Sequence, residues 1–253
     1  MEFVLAGILL ILMIAVGGKR GAKTFAALYI NTFILIFTVF LIACGFSAII
    51  ASLLGCAVIG VVVLFVINGV NIKTVTAFAA IVTVLLIMTA LMLYIGSQTH
   101  IQGFADENTD EICWYSPEIG LDMTQVSLAM VLMGLIGAIV DTSIAITSAL
   151  NEVYENNPHL SKKELFISGM NIGKDILGTT TNTLLFAYIG GFMTLVIWFR
   201  AYDYSISQII NSKVFCQEFL QIVSSGTGCV LMIPIAAFYM SVVLTHKKTK
   251  GSC

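Results

Sequence analysis

Residues 134–191 read GLIGAIVDTSIAITSALNEVYENNPHLSKKELFISGMNIGKDILGTTTNTLLFAYIGG. Two strongly apolar segments enclose a polar connection. Each carries charge where a membrane helix ordinarily has none: Asp141 lies inside the first, and Lys174 and Asp175 stand at the entrance to the second. A hydrocarbon core takes roughly 20 apolar residues per helix, so the stretch predicts two bilayer spans joined by a short hydrophilic turn. Any chemistry is expected at those charges.

Composition extends this reading to the whole chain. Its 253 residues are 58% hydrophobic and 10% charged, with a mean hydropathy of +1.00. A soluble domain carries about 25% charged residues. The apolar runs are continuous rather than alternating, which selects helices over a barrel. The expected fold class is all-α: a polytopic transmembrane helix bundle forming one domain over 1–253, with the lipid bilayer as its surroundings.

Function classes fall away on the same grounds. Scattered lysines and a formal charge of −2 offer no basic face for nucleic acid. The six cysteines show neither CxxC nor Cys/His spacing, so no metal site is expected. Cys44, Cys56 and Cys229 lie in apolar runs and read as inert packing, while Cys113 and Cys216 fall in outer loops, where spacing alone does not decide pairing. His100, His159 and His246 are isolated, and GxSxG, HExxH and Gly-Lys phosphate loops are missing. The chain is therefore not expected to be an enzyme, and no cofactor is expected.

In chain order the spans fall at about 3–17, 24–43, 48–67, 75–95, 123–150, 171–199 and 217–245. Asp122 with Gln125, and Ser161 with Glu164, have the spacing of helix starts closed by capping boxes. The stretch 96–122 carries Asp106, Glu107, Asp110, Glu111 and Glu118 with no Lys or Arg, and reads as a solvated loop anchored by Trp114 and Tyr115. Pro234 is expected to kink the last span. Under this topology ten of the 12 Lys and Arg residues share one side, leaving Arg200 and Lys213 on the other. The positive-inside rule then predicts a multi-pass protein of the plasma membrane, N-terminus outside and C-terminus cytoplasmic.

Positions three, four and seven apart share a helix face. On the fifth span Ser127, Met130, Gly134, Gly137, Asp141, Ala145, Ser148 and Glu152 form one stripe. Its glycines are expected to admit a neighbouring helix, with Asp141 turned against it. On the sixth, Asn171, Lys174, Asp175, Gly178 and Asn182 form a second. Two polar stripes at similar depth suggest that both face inward, with Lys174 or Asn182 as partner of Asp141. An intramembrane carboxylate is by default a functional residue, so Asp141, Lys174, Asp175, Asn171 and Asn182 are the candidates for a proton or ion relay. A fixed ion pair holding two helices in register is the structural alternative. For Lys174 and Asp175 it is ordinary charge at the membrane boundary. The Ser224-Ser225-Gly226-Thr227-Gly228 cluster reads as close packing.

These residues resemble a known family. GAIVDTSIAITSALNEV and ELFISGMNIGKDILGTTTNTLLFAYIGG, with the turns at 17–21 and 68–74, are similar to YibE/F-like bacterial multi-pass membrane proteins. Lys174 stands where the family pattern suggests Arg, which keeps the charge and loses bidentate geometry. The chain resembles the shorter, YibF-like members, which implies a longer YibE-like membrane protein as a partner, with a homo-oligomer as the alternative. Gly137-Ala138-Ile139-Val140-Asp141 is also similar to the Gly-x-x-x-Asp helix of RND-type permeases and SecD/SecF, where the Asp belongs to a proton relay. That likeness implies half of an RND-type permease without its large extracytoplasmic domain. The intramembrane Asp141, with the likeness to the RND-type Asp helix, leads to the expectation of a proton-coupled secondary transporter or permease component. A non-transporting assembly or export-helper module working with a paired membrane protein is the alternative.

Overall fold

The computed structural model describes residues 2–98 and 122–250. The expected anchors Trp114 and Tyr115, the acidic residues between them and the preceding helix, and Cys113 lie outside the described residues. All regular structure described is helical: α1 Glu2–Ala43, α2 Ala48–Val61, α3 Ile72–Gln98, α4 Met123–Asn156, α5 Lys162–Ala201, the short α6 Ile206–Asn211 and α7 Lys213–Lys250. α2 runs directly into a π-helical turn, Val62–Val66. Among the described residues, six helices are long and apolar enough to cross a membrane. The fold is an all-α transmembrane bundle.

The expected spans 3–17 and 24–43 occupy the two arms of α1, which turn a corner at Gly18, with φ 55° and ψ −135°. That backbone region belongs to glycine, because a Cβ meets the flanking carbonyls there. Within the corner, a Cβ on Gly21 would overlap the Met13 carbonyl. Arg20 Nη2 donates to Asn68 Oδ1 at 2.6 Å, tying the corner to the turn after α2. Gly18→Val is expected to cost about 1–3 kcal/mol, seen as a lower unfolding temperature in detergent than for Gly17→Val on the same turn.

The other turns follow from local chemistry. Gly45, at φ 90°, ends α1: its N–H donates to Ile42 O and the Phe46 N–H to Leu41 O, a Schellman closure. Asn71 and Thr74 exchange backbone-to-side-chain bonds at 3.0 Å across the start of α3. Asp122 caps α4 by accepting from Thr124 N and Gln125 N. Slight desolvation pushes its carboxyl up, but these bonds outweigh it and hold the group below its usual range.

Ser161 and Glu164 form the full reciprocal capping box of α5. The Ser161 N–H and hydroxyl, both donating to Glu164, hold that carboxyl below its usual range. A depressed folded value means that its stabilisation is present above the ordinary value of 4.5 and is lost as pH falls through the folded value. Protection of the first-turn amides of α5 against hydrogen exchange is therefore expected to fall on acidification in that window. Glu164→Ala should remove the pH dependence.

α4 is the centre of the bundle, with α2, α3, α5 and α7 packed around it. Its Leu135, Ile139, Ile146 and Leu150 are fully buried against Met88 of α3 and Met232 and Met240 of α7. The polar residues on this buried side are satisfied within the helix: Thr142 donates to Ala138 O, Ser143 to Val140 O and Thr147 to Ser143 O. Cys56 and Cys229 are buried. Cys44, expected to pack, instead stands exposed in the turn after α1, because the helix ends one residue before it. Pro234 lies within α7, which continues through it.

Candidate functional site

Enclosed on most sides, α4 leaves one stripe uncovered. Met130, Gly137, Asp141 and Glu152 are exposed along it, with Gly134, Ala145 and Ser148 partly so. This is the face that carries Asp141 and the small residues in the sequence. The two glycines differ. A Cβ on Gly134 would overlap the Gln221 amide, so Gly134 does admit a neighbour. A Cβ on Gly137 would meet nothing within 4 Å, so no described helix packs against α4 at that position, one turn from Asp141. Among the described residues Asp141 has no hydrogen bond and no ion pair. Beside it on α4, Thr142 faces the Cys229 thiol of α7.

A polar cluster closes the stripe roughly 10 Å away along the axis, seven residues at 1.5 Å each. There Gln221 of α7 lies across Gly134 and donates to the Tyr188 hydroxyl of α5 at 3.4 Å. Tyr188 shares a hydrogen bond with Ser225 of α7 at 3.1 Å. One helical turn further out, Gln217 Nε2 reaches Met130 Sδ at 3.4 Å. This row of amide and hydroxyl groups was missed from the sequence, where Ser225 read only as packing. Tyr188 and Gln221 interrupt apolar runs, and a polar tip in such a run requires a partner, which was the available signal.

α5 turns away the face expected to point inward. Leu165, Gly169 and Gly173 are buried, followed at helical spacing by the half-buried Leu177, Thr180, Leu184 and Tyr188. A Cβ on Gly169 would come within 2.7 Å of the Ala237 Cβ and 2.9 Å of Leu150 Cδ1. Gly169-x-x-x-Gly173 is thus a close-approach motif, and it sets this side of α5 against α4 and α7. Asn171, Lys174, Asp175, Gly178 and Asn182 are all exposed on the opposite side. The expected inward orientation of this stripe is corrected accordingly: without water between helices, backbone proximity chose the packed face over polarity. Lys174 follows Gly173, which packs on Ile233, one helical turn from Cys229. Lys174 is therefore close in depth to Asp141 but lies across α5 from it, and the two make no ion pair. Gly178, like Gly137, has open space where its Cβ would be.

Cys216 Sγ donates to Ile210 O at 3.4 Å; its relation to Cys113 lies outside the described residues. Tyr239 of α7 and Thr83 of α3 share a bond at 2.9 Å, and Ser224 donates to Met92 Sδ at 3.5 Å. These tie α7 to α3 on the side away from Asp141.

No curated protein and no solved structure matches the chain. The likeness of the Gly137–Asp141 segment to RND-type permeases therefore stands on those residues alone. Residues 5–246 match the family described as YibE/F-like protein. With nearly the whole helical bundle inside that match, the chain belongs to the YibE/F-like family of multi-pass membrane proteins.

Proposed function

We propose that the protein is a proton-coupled secondary transporter or permease component, without enzymatic chemistry, in which Asp141 carries the proton. One observation supports this reading above the others: among the described residues, Asp141 stands without a hydrogen bond or ion pair on the open stripe of the central helix. A carboxylate serving as a fixed structural pair would be bonded in place. An unpaired one at this depth costs about 2.5–3.5 kcal/mol on insertion scales, a cost that protonation removes. A group that is cheap when neutral and expensive when charged is suited to take up a proton on one side and give it up on the other. The Gln217, Gln221, Tyr188 and Ser225 row supplies polar contacts leading along the same stripe. The basic residues place the C-terminal end of the bundle in the cytoplasm under this reading.

The test is proton flux into proteoliposomes holding the full chain, followed with a trapped pH dye under an imposed gradient. Asp141→Asn should lose the flux, while Asp141→Glu retains part of it. Equal flux through the wild type and Asp141→Asn would sink the reading. A second reading, an assembly module acting with another membrane protein, is favoured by the uncovered polar face of α5. No flux from the wild type, together with intact assembly, would select it.

A further inference from the structure

The outward side of α5 has no occupant among the described residues, yet its composition is not that of a lipid-facing surface. Asn171, Lys174, Asp175 and Asn182 have neither a hydrogen bond nor an ion pair among the described residues. Their stripe runs at helical spacing from the exposed Ile167 to the exposed Leu185. Aliphatic side chains need no cover in a bilayer. Amides and charges do, since hydrocarbon supplies no hydrogen-bonding partner. Gly178, in the middle of the stripe, has open space over its Cα. It leaves a notch in which another backbone could approach closely enough for those groups to bond.

We propose that this face docks a second copy of the same chain, two α5 helices crossing beside a twofold axis along the membrane normal, with Lys174 of each copy against Asp175 of the other. The charge arrangement selects a second copy over a different protein. Lys174 and Asp175 are adjacent, opposite in sign, and on the two flanks of one stripe. In a twofold pair of parallel helices both copies bring these residues to the same depth. Each Lys then meets an Asp, and the like charges sit on opposite flanks. Asn171 and Asn182 meet their own counterparts, and an amide, being both donor and acceptor, is complementary to itself. No change elsewhere in the bundle is needed, because none of these side chains contributes to its packing. This surface is independent of the role given to Asp141, which lies on a different helix.

The experiment counts subunits by single-molecule photobleaching of the full-length labelled chain in a lipid bilayer. Wild type should bleach in two steps. Lys174→Asp places two negative charges on the stripe and Asp175→Lys two positive ones. Either change alone should lower the two-step fraction roughly tenfold, the loss of both charge pairs in association. The double swap Lys174→Asp with Asp175→Lys should restore pairing. So should a mixture of the two single variants, and only of the two together. The mixture also guards against misfolding, since an unfolded variant could not recover a partner. Single-step wild type, single swaps that still pair, or a mixture that stays single-step would each overturn the proposal. Capture of a different membrane protein by this face while the wild type remains single-step would do the same.

Discussion

Gly169→Leu is expected to release α5 from the bundle. The glycine faces Ala237 of α7 and Leu150 of α4, with a new Cβ only 2.7 Å from the alanine Cβ and 3.4 Å from its Cα. Leu150 could rotate away; Ala237 has no rotamer to offer, and the α7 backbone stands behind it. Overpacking ordinarily costs about 1–3 kcal/mol, and a site walled by backbone belongs at the upper end or beyond. Membrane helices gain nothing from leaving water at this contact, since lipid tails are as apolar as leucine, and close packing carries the association instead. Thermal unfolding in detergent should shift down markedly, or the protein should fail to accumulate. Gly178→Leu, nine residues further along on the open side of the same helix, should leave unfolding in dilute detergent unchanged. Similar melting curves for the two variants would show that α5 does not pack through its glycine pair.

The second large effect separates activity from folding. Because Asp141 makes no hydrogen bond or ion pair among the described residues, Asp141→Asn removes no described partner and should leave stability within about 0.5 kcal/mol of wild type, the usual range for substitutions away from buried features. It does remove the only titrating group on the open stripe of α4 within the span. Proton flux should therefore fall to that of protein-free liposomes, a loss of two or more orders of magnitude if the group is obligatory. Asp141→Leu sharpens the comparison. It should insert and melt at least as well as wild type, since it trades a carboxylate for an apolar side chain on an exposed intramembrane surface, and it too should carry no flux. Lower stability in both variants would mean that the carboxylate is held by contacts in the membrane, and the relay would lose its main support.

How far the sequence determined this picture can be followed through α5. Its start was legible: Ser161 and Glu164 close the expected reciprocal cap, because capping depends on residues three apart and little else. Its apolar length was legible too. Its orientation was not. Two stripes of the same period run along it, one holding Lys174 and Asn182, the other holding Gly169 and Gly173, and a helical period says which residues share a face without saying which face is buried. Polarity suggested one answer, and close packing between membrane helices gave the other. The Asp141–Lys174 pairing failed with it, since it assumed two inward stripes. On α4 the stripe itself was legible, but its being the uncovered side depended on where α2, α3 and α7 stand, and that is set by long-range packing. The Gln221 and Tyr188 contact across Gly134 likewise joins three helices and leaves only isolated polar residues in the sequence.

The π-helical turn at Val62–Val66 bears on the history of the chain. Such a turn holds one residue more than the α-helix it interrupts, with the helix on either side keeping its register. A chain one residue shorter at this place could close as uninterrupted α-helix, keeping Cys56 and Ile59 on their buried side and Asn68 within reach of Arg20. Relatives one residue shorter between 61 and 67 are therefore compatible with one bundle, whereas the same deletion within 128–140 would rotate Asp141 by about 100° relative to the preceding part of its stripe.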